Sequence, residues 1–374
     1  MRILSIKYVA EQFCSDKTSL EKREPDSGDL SFKFNCLKRE KKMEKLNTAL
    51  IGNRGHWGYF KNAVERIDRI NWVAYSPGCS DSPQRVIDTA GDMGKSIKVY
   101  DDYIEMLDTE KLDCVVIDGP FDLHAKMCCE ALKRNIHVFC EKPIALTLED
   151  LAEIEETYKK CAPGVEIISM VGLRAEPGFL TAYRAVQSGA IGKVKMVNTR
   201  KSYKLGERPA FYKERVTYGG TIPWVGSHAL DWVLWFSGAK SFKTIDAFHT
   251  TSDNRNHGEL EMAALVTAVM DNGVLASASI DYLRPSTAPT HGDDRVRVAG
   301  TDGVIEVMKG VVTLINADGE KVLEQLPQRG IFYDFALHLL DGEEALVNAE
   351  QTFELTRACL VARDKADAYG DIAR

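Results

Sequence analysis

Apolar residues follow two different rhythms along this chain, and the change falls near residue 165. Before it, short unbroken apolar runs alternate with segments of helical period. Residues 46–51 (Leu-Asn-Thr-Ala-Leu-Ile), 72–75, 112–117 (Leu-Asp-Cys-Val-Val-Ile) and 136–140 read as buried strands. Between them, Ala63, Val64 and Ile67 share one helical face, as do Leu123, Met127, Ala131 and Leu132. Thr147-Leu148-Glu149-Asp150 has the form of a capping box and opens a helix carrying Leu151, Ile154 and Tyr158. Strands alternating with helices predict a Rossmann-type, doubly wound parallel sheet.

After residue 165 strands dominate. Residues 194–203, 261–270 and 274–282 alternate, and Asp271-Asn272-Gly273 is a hairpin signal. Three further strand runs are separated by Asp302-Gly303, Lys309-Gly310 and Asp318-Gly319, and helices are expected near 223–236, 331–341 and 349–368. This predicts an α+β domain with an open, mostly antiparallel sheet, one face covered by helices. The expected organisation is a charged, loosely ordered extension (1–45), a parallel α/β domain (46–165) and an α+β domain (166–374). Met43 stands just before the first strand, so residues 1–42 read as an extension arising from an upstream start codon.

Gly52-Asn53-Arg54-Gly55-His56-Trp57-Gly58 lies at the first strand–helix junction. Glycine suits a tight turn and close backbone approach to phosphate, and the next helix offers free N–H groups to an anion. The loop predicts NAD(P) binding through Gly52, Arg54, Gly55, His56, Trp57 and Gly58. The second strand ends in Tyr75-Ser76-Pro77-Gly78, without the acidic residue that holds an adenosine ribose. Ser76, Ser80, Arg85 and Arg54 are placed to meet a ribose phosphate instead, which tilts the expectation to NADP. Asp81 keeps NAD open.

Glu141-Lys142-Pro143 follows the strand at 136–140, so Lys142 sits where open α/β sheets bind ligands. In the second half, Pro223 suits the first turn of a helix, which places Trp224, His228 and Asp231 on one face. A histidine beside a carboxylate can be an oriented acid–base group. An imidazole, ordinarily near pKa 6.5, suits the proton of an alcohol oxidation, and a lysine steadies the developing alkoxide. Arg174, Tyr203, Lys204, Arg208 and Tyr212 are candidate sugar contacts.

Together these stretches resemble the Gfo/Idh/MocA family, which includes glucose–fructose oxidoreductase and inositol dehydrogenase. The resemblance runs through Asp113-Cys114-Val115-Val116-Ile117 into Gly119-Pro120 and Leu123-His124. It continues through Val138-Phe139-Cys140-Glu141-Lys142-Pro143, Ser188-Gly189-Ala190-Ile191-Gly192 and residues 219–231. It implies a nicotinamide-dependent oxidoreductase acting on a sugar, cyclitol or related polyol, with Lys142 at the reacting hydroxyl and His228 as acid–base group. It also implies that Pro120, Phe121, His124 and Glu141 adjoin the cofactor, that Asp231 is the family's aspartate on the His228 helix, and that the protein is a homo-dimer or homo-tetramer. Two positions depart from the pattern. Trp224 stands where an aspartate is common, and Phe121 where an asparagine is usual. Two alternatives remain open: a redox-assisted glycosidase that reuses bound NAD, and a catalytically silent nucleotide sensor. Lys142 and His228 together speak against the sensor.

Composition narrows the partners. A net charge of −7 disfavours nucleic acid and anionic membranes, and no apolar run is long enough to span a bilayer. Nine cysteines without a C-x-x-C pair predict no metal or disulfide framework and a cytoplasmic protein.

Overall fold

The computed structural model describes residues 43–370; the expectation for residues 1–42 lies outside the described residues. Six strands form a parallel sheet: β1 (Leu46–Gly52), β2 (Ile70–Ser76), β3 (Lys98–Val99), β4 (Cys114–Asp118), β5 (His137–Cys140) and β6 (Ile167–Ser169). Their order is β3-β2-β1-β4-β5-β6. Every residue of β4 is buried, and β1 is buried at all positions but Asn47, as strands covered on both faces require. The intervening helices are α1 (Gly58–Arg66), α2 (Gln84–Asp92), α3 (Tyr103–Thr109), α4 (His124–Lys133) and α5 (Leu148–Tyr158). Thr147 caps α5 as its capping-box form predicts, its side chain accepting from the Asp150 N–H at 3.0 Å. The chain leaves β1 for β2 on one side, while β4 flanks β1 on the other. The crevice above this reversal is where dinucleotides bind such sheets.

The second sheet has eight strands in the order β14-β13-β12-β11-β7-β10-β9-β8. They are β7 (Val194–Tyr203), β8 (Phe242–Thr250), β9 (Ala263–Met270), β10 (Leu275–Asp281), β11 (Gly292–Gly300), β12 (Gly303–Met308), β13 (Val311–Asn316) and β14 (Gly319–Val322). All pairs are antiparallel except β7 with β10. Asp271-Asn272-Gly273 forms the expected β9–β10 turn, with Gly273 at φ +84°. One face alternates inward through Val197, Ala247, Val266, Ala278 and Val298, all buried. The other leaves Met196, Phe248, Leu265, Leu275 and Ile315 exposed.

Four more helices complete the described structure beside the short α7 (Arg215–Tyr218): α6 (Pro177–Gln187), α8 (Ser227–Ser237), α9 (Ile331–Asp341) and α10 (Ala349–Tyr369). Helix α8 is buried at all eleven positions. It packs on β7 and β10 and is covered by α10. Such a helix is mostly apolar, and its aromatic residues extend the core outward, with Trp232 stacked on Phe179 at 4.4 Å and Trp235 on Tyr183 at 4.0 Å. Helix α8 does not start at Pro223 as expected. Residues Ile222–Gly226 form a wider π-type turn, and the α-helix begins at Ser227. Strand β6 joins the first sheet past residue 165. Among the described residues, no helix is long and apolar enough to cross a membrane.

Candidate active site

The glycine loop is built against the ends of β4 and β5. Gly52 has φ +79°, and a Cβ there would lie 2.3 Å from the Gly119 Cα, so no side chain fits without moving backbone. The Arg54 N–H donates to the Asp118 carbonyl at 2.8 Å. The Gly55 and Trp57 N–H groups donate to Asp118 Oδ2 at 3.0 and 3.2 Å. The His56 N–H donates to Glu141 Oε2 at 2.8 Å, and His56 Nδ1 lies 2.7 Å from the same oxygen. Both carboxyl groups are fully buried. The amides expected to face a diphosphate are thus met by two side-chain carboxyl groups. Burial and the charge of Glu141 push the Asp118 carboxyl well above the usual carboxylate range. Burial alone would raise Glu141 too, but His56 and Lys142 overcome it and hold that group down to about 2.

Lys142 and His228 come from different sheets' surroundings, the first from the end of β5 and the second from α8. Both are buried, at 3% and 4% exposure. Lys142 Nζ lies 3.5 Å from Glu141 Oε1 and 3.1 Å from the centre of the Trp224 ring, a cation–π contact. Burial, with a further push from Lys201, lowers the Lys142 ammonium to about 8, against the pull of Glu141. His228 Nδ1 is buried without a hydrogen-bond partner. Burial, then the charges of Lys142, Lys201 and His56, hold the imidazole well below its ordinary value. That differs from the expectation of an unperturbed histidine. It is a neutral imidazole through the physiological range.

Trp224, which covers the Lys142 ammonium, sits in an aromatic cluster. Its ring stacks on Phe121 at 4.6 Å and on His56 at 5.7 Å, and Tyr212 meets it edge-on at 6.0 Å. Pro120 and Phe121 are buried beside it. Tyr203, half-buried, lies with its ring 4.5 Å from Lys201 Nζ.

Several expected contacts are engaged elsewhere. Asp231 does not face His228: it accepts from Arg174 Nε at 3.0 Å and Nη2 at 2.6 Å. Arg174 Nη1 donates to the Leu346 carbonyl at 2.6 Å and to Gln351 Oε1 at 2.7 Å. Both members of this ion pair are at most 2% exposed, so Arg174 and Asp231 brace the fold instead of meeting a substrate. His124 is also structural. Its Nδ1 lies 2.9 Å from the Pro143 carbonyl and its Nε2 3.1 Å from the Gly119 carbonyl, tying together the loops after β4 and β5. At the adenosine end, Arg54 Nε and Nη2 donate to Asp81 at 2.6 and 2.9 Å. Ser76 is fully buried and its Oγ accepts from the Gly78 N–H at 3.3 Å. Of the two arginines expected at a ribose phosphate, Arg54 is therefore paired, while Arg85 is exposed with its guanidinium 6.0 Å from the centre of the Trp57 ring.

Two groups at this site were not anticipated. Lys201 on β7 is buried, pairs with Asp294 of β11 at 2.6 Å, and faces it across the β7–β11 register. Its signal, a lysine at an inward position of an alternating strand, emerges only once the register is known. Asp118 carried a plainer signal, a carboxyl closing the apolar run Cys-Val-Val-Ile.

Three features of the crevice suit a dinucleotide: a side-chain-free approach at Gly52, an open position at Gly58, and buried atoms without a protein partner, Asp118 Oδ1 and His228 Nδ1. Comparison with known proteins agrees. Residues 79–163 match the oxidoreductase family's NAD-binding Rossmann fold, and residues 179–306 match the GFO/IDH/MocA C-terminal domain. A solved structure of an oxidoreductase candidate from Thermotoga maritima is 42% identical, with a TM-score of 0.81 over 87% of this chain and 98% of that one. The chain belongs to the Gfo/Idh/MocA oxidoreductase family. It is similar to the scyllo-inositol 2-dehydrogenase (NAD(+)) of Bacillus subtilis, 26% identical over 74% of this chain and 78% of that protein. It is also similar to the inositol 2-dehydrogenase of Salmonella typhimurium, 27% identical over 40% of this chain; that match spans 43% of the relative's length.

Proposed function

We propose that the protein is an NAD(P)-dependent oxidoreductase that moves a hydride between the nicotinamide and a hydroxyl-bearing carbon of a sugar, inositol or related polyol. One observation carries this reading: a buried lysine and a buried histidine with an unpartnered Nδ1 converge at the carboxyl end of the parallel sheet. The names of the inositol dehydrogenases that this chain resembles support the substrate class.

The nicotinamide, when bound, supplies the hydride acceptor. Everything else falls to the protein. Lys142, held positive by Glu141 and by the face of Trp224, orients the substrate hydroxyl and stabilises negative charge on its oxygen. His228, neutral because of its burial and its cationic neighbours, has a free ring nitrogen to accept the hydroxyl proton. Trp224 and Tyr203 offer aromatic faces to the C–H surface of a sugar. The Arg54–Asp81 pair takes one of the two arginines expected at a 2′-phosphate and places a carboxylate at the adenosine end, which supports NAD beside the NADP expected from the missing carboxylate, with exposed Arg85 the cation that NADP would use. Five buried free thiols among the described residues, Cys114, Cys128, Cys129, Cys140 and Cys359, support a reducing compartment such as the cytoplasm. The exposed apolar face of the second sheet supports association into a homo-dimer or homo-tetramer.

The pH profile follows from the two shifts. Lys142 must keep its proton, so kcat/KM should fall as pH rises through about 8. His228 must be free of its proton, and its depressed pKa moves the acid limb below the ordinary histidine value of about 6.5. A measured acid limb at the ordinary value would show a solvated imidazole and contradict the geometry. The reading itself is tested by a screen of inositols and aldoses with both nicotinamide cofactors, following absorbance of the reduced form.

A further inference from the structure

The glycine loop already holds an anion-like group of its own. Gly55 and Trp57 both donate their N–H to Asp118 Oδ2, at 3.0 and 3.2 Å, and the Cβ that Gly55 lacks would meet Asp118 Oδ1 at 2.5 Å. The space that glycine keeps clear in such a loop is the space into which this carboxyl projects. Its second oxygen, Oδ1, is buried and has no hydrogen-bond partner. A buried carboxylate oxygen with no donor is costly, whereas a protonated one becomes a donor in need of an acceptor.

We propose that Asp118 is the residue that gates the dinucleotide site, its carboxyl occupying the amide nest of the glycine loop and admitting a dinucleotide diphosphate only together with one proton on Asp118 Oδ1. This rests on the NAD(P) reading above. A diphosphate brought to the nest meets two carboxyl groups, and the repulsion is lowest when one of them is neutral. The surroundings decide which. Glu141 stays ionised because it faces His56 from the loop and Lys142 from its own segment. Asp118 has no side-chain cation among its hydrogen-bond partners, and Glu141 across the loop repels its charge. The other titratable groups near it are the Tyr75 phenol and the Cys140 thiol, both raised by burial and neutral, and the Lys142 ammonium, which is paired with Glu141. The proton therefore goes to Asp118, and its O–H can donate to a phosphate oxygen.

The test is nucleotide affinity against pH, with no turnover required. NADH is titrated into the full-length protein from pH 5.5 to pH 8.5, by calorimetry in two buffers of different ionisation enthalpy. The expected wild-type result is a Kd that is flat at the acid end, where Asp118 already holds its proton, and that weakens by about tenfold per pH unit at the alkaline end, with uptake of one proton on binding there. Asp118→Asn keeps the shape and acts as a permanently protonated carboxyl. It should bind NADH about tenfold or more tightly than wild type at the alkaline end, without proton uptake. Asp118→Ala, which vacates the nest, should show the same loss of pH dependence and guards against a folding defect peculiar to one variant. A wild-type Kd that is flat with pH and unchanged in both variants overturns the gating role while leaving the NAD(P) reading intact. No binding of NADH by any of the three folded proteins at any pH overturns both.

Discussion

His228→Ala is expected to lower turnover by about 10²–10⁴-fold, the usual worth of general acid–base help, with nucleotide affinity nearly unchanged. The imidazole is buried, its Nδ1 makes no hydrogen bond, and burial, with the charges of Lys142 and Lys201 after it, keeps it neutral. A histidine kept for structure would use its ring nitrogens, as His124 does in bridging two carbonyls. Removing His228 should therefore cost activity far more than stability. Lys142→Met should do comparable damage, since it keeps the length of the side chain and removes its charge. The check is kcat for each variant beside its melting temperature and an NADH titration. An unaltered kcat in His228→Ala at every pH would assign the proton to another group.

Asp231→Ala should cost about 3–5 kcal/mol of stability, because it strands the Arg174 guanidinium in the core. Arg174 is fully buried and donates to Asp231, the Leu346 carbonyl and Gln351, linking α8 to the segment before α10. The desolvation penalty of a buried pair is offset only while both charges are present. Replacing both, as in Arg174→Met with Asp231→Leu, should recover much of the loss. Urea midpoints of the single and double variants measure this directly. A single variant as stable as wild type would mean that the pair is solvated and available to substrate.

The strands of the first sheet were legible because burial on both faces writes a continuous apolar run, as in residues 112–117. The β9–β10 hairpin was legible because Asp-Asn-Gly supplies the turn chemistry. Strand β8 was not: Phe-Lys-Thr-Ile-Asp-Ala-Phe-His-Thr buries Ile245, Ala247 and His249 on one face but mixes polar and apolar residues on both. Helices α2 and α3 are short and polar on their outer sides, so neither gives a long periodic signal. The places of Lys142 at a strand end and of His228 on a tryptophan-rich helix were legible. The partners were not. A face predicted from Pro223 put Trp224, His228 and Asp231 together; the wider turn at Ile222–Gly226 shifts only Trp224 relative to the other two, and Asp231 is taken by Arg174, which approaches from a segment distant along the chain. Arg54 looked free for a phosphate because nothing local shows that Asp81 folds back onto it. Such pairings depend on tertiary approach, which spacing along the chain does not record.

The most direct measurement of the central claim is transfer of label. Inositols and aldoses deuterated at their carbinol carbons are incubated with the protein and NAD or NADP, and the nicotinamide is recovered for mass analysis. The account predicts deuterium on the reduced nicotinamide from at least one of these substrates, abolished to within detection by Lys142→Met. Nicotinamide that binds to the folded wild-type protein yet gains no label from any of them would contradict it.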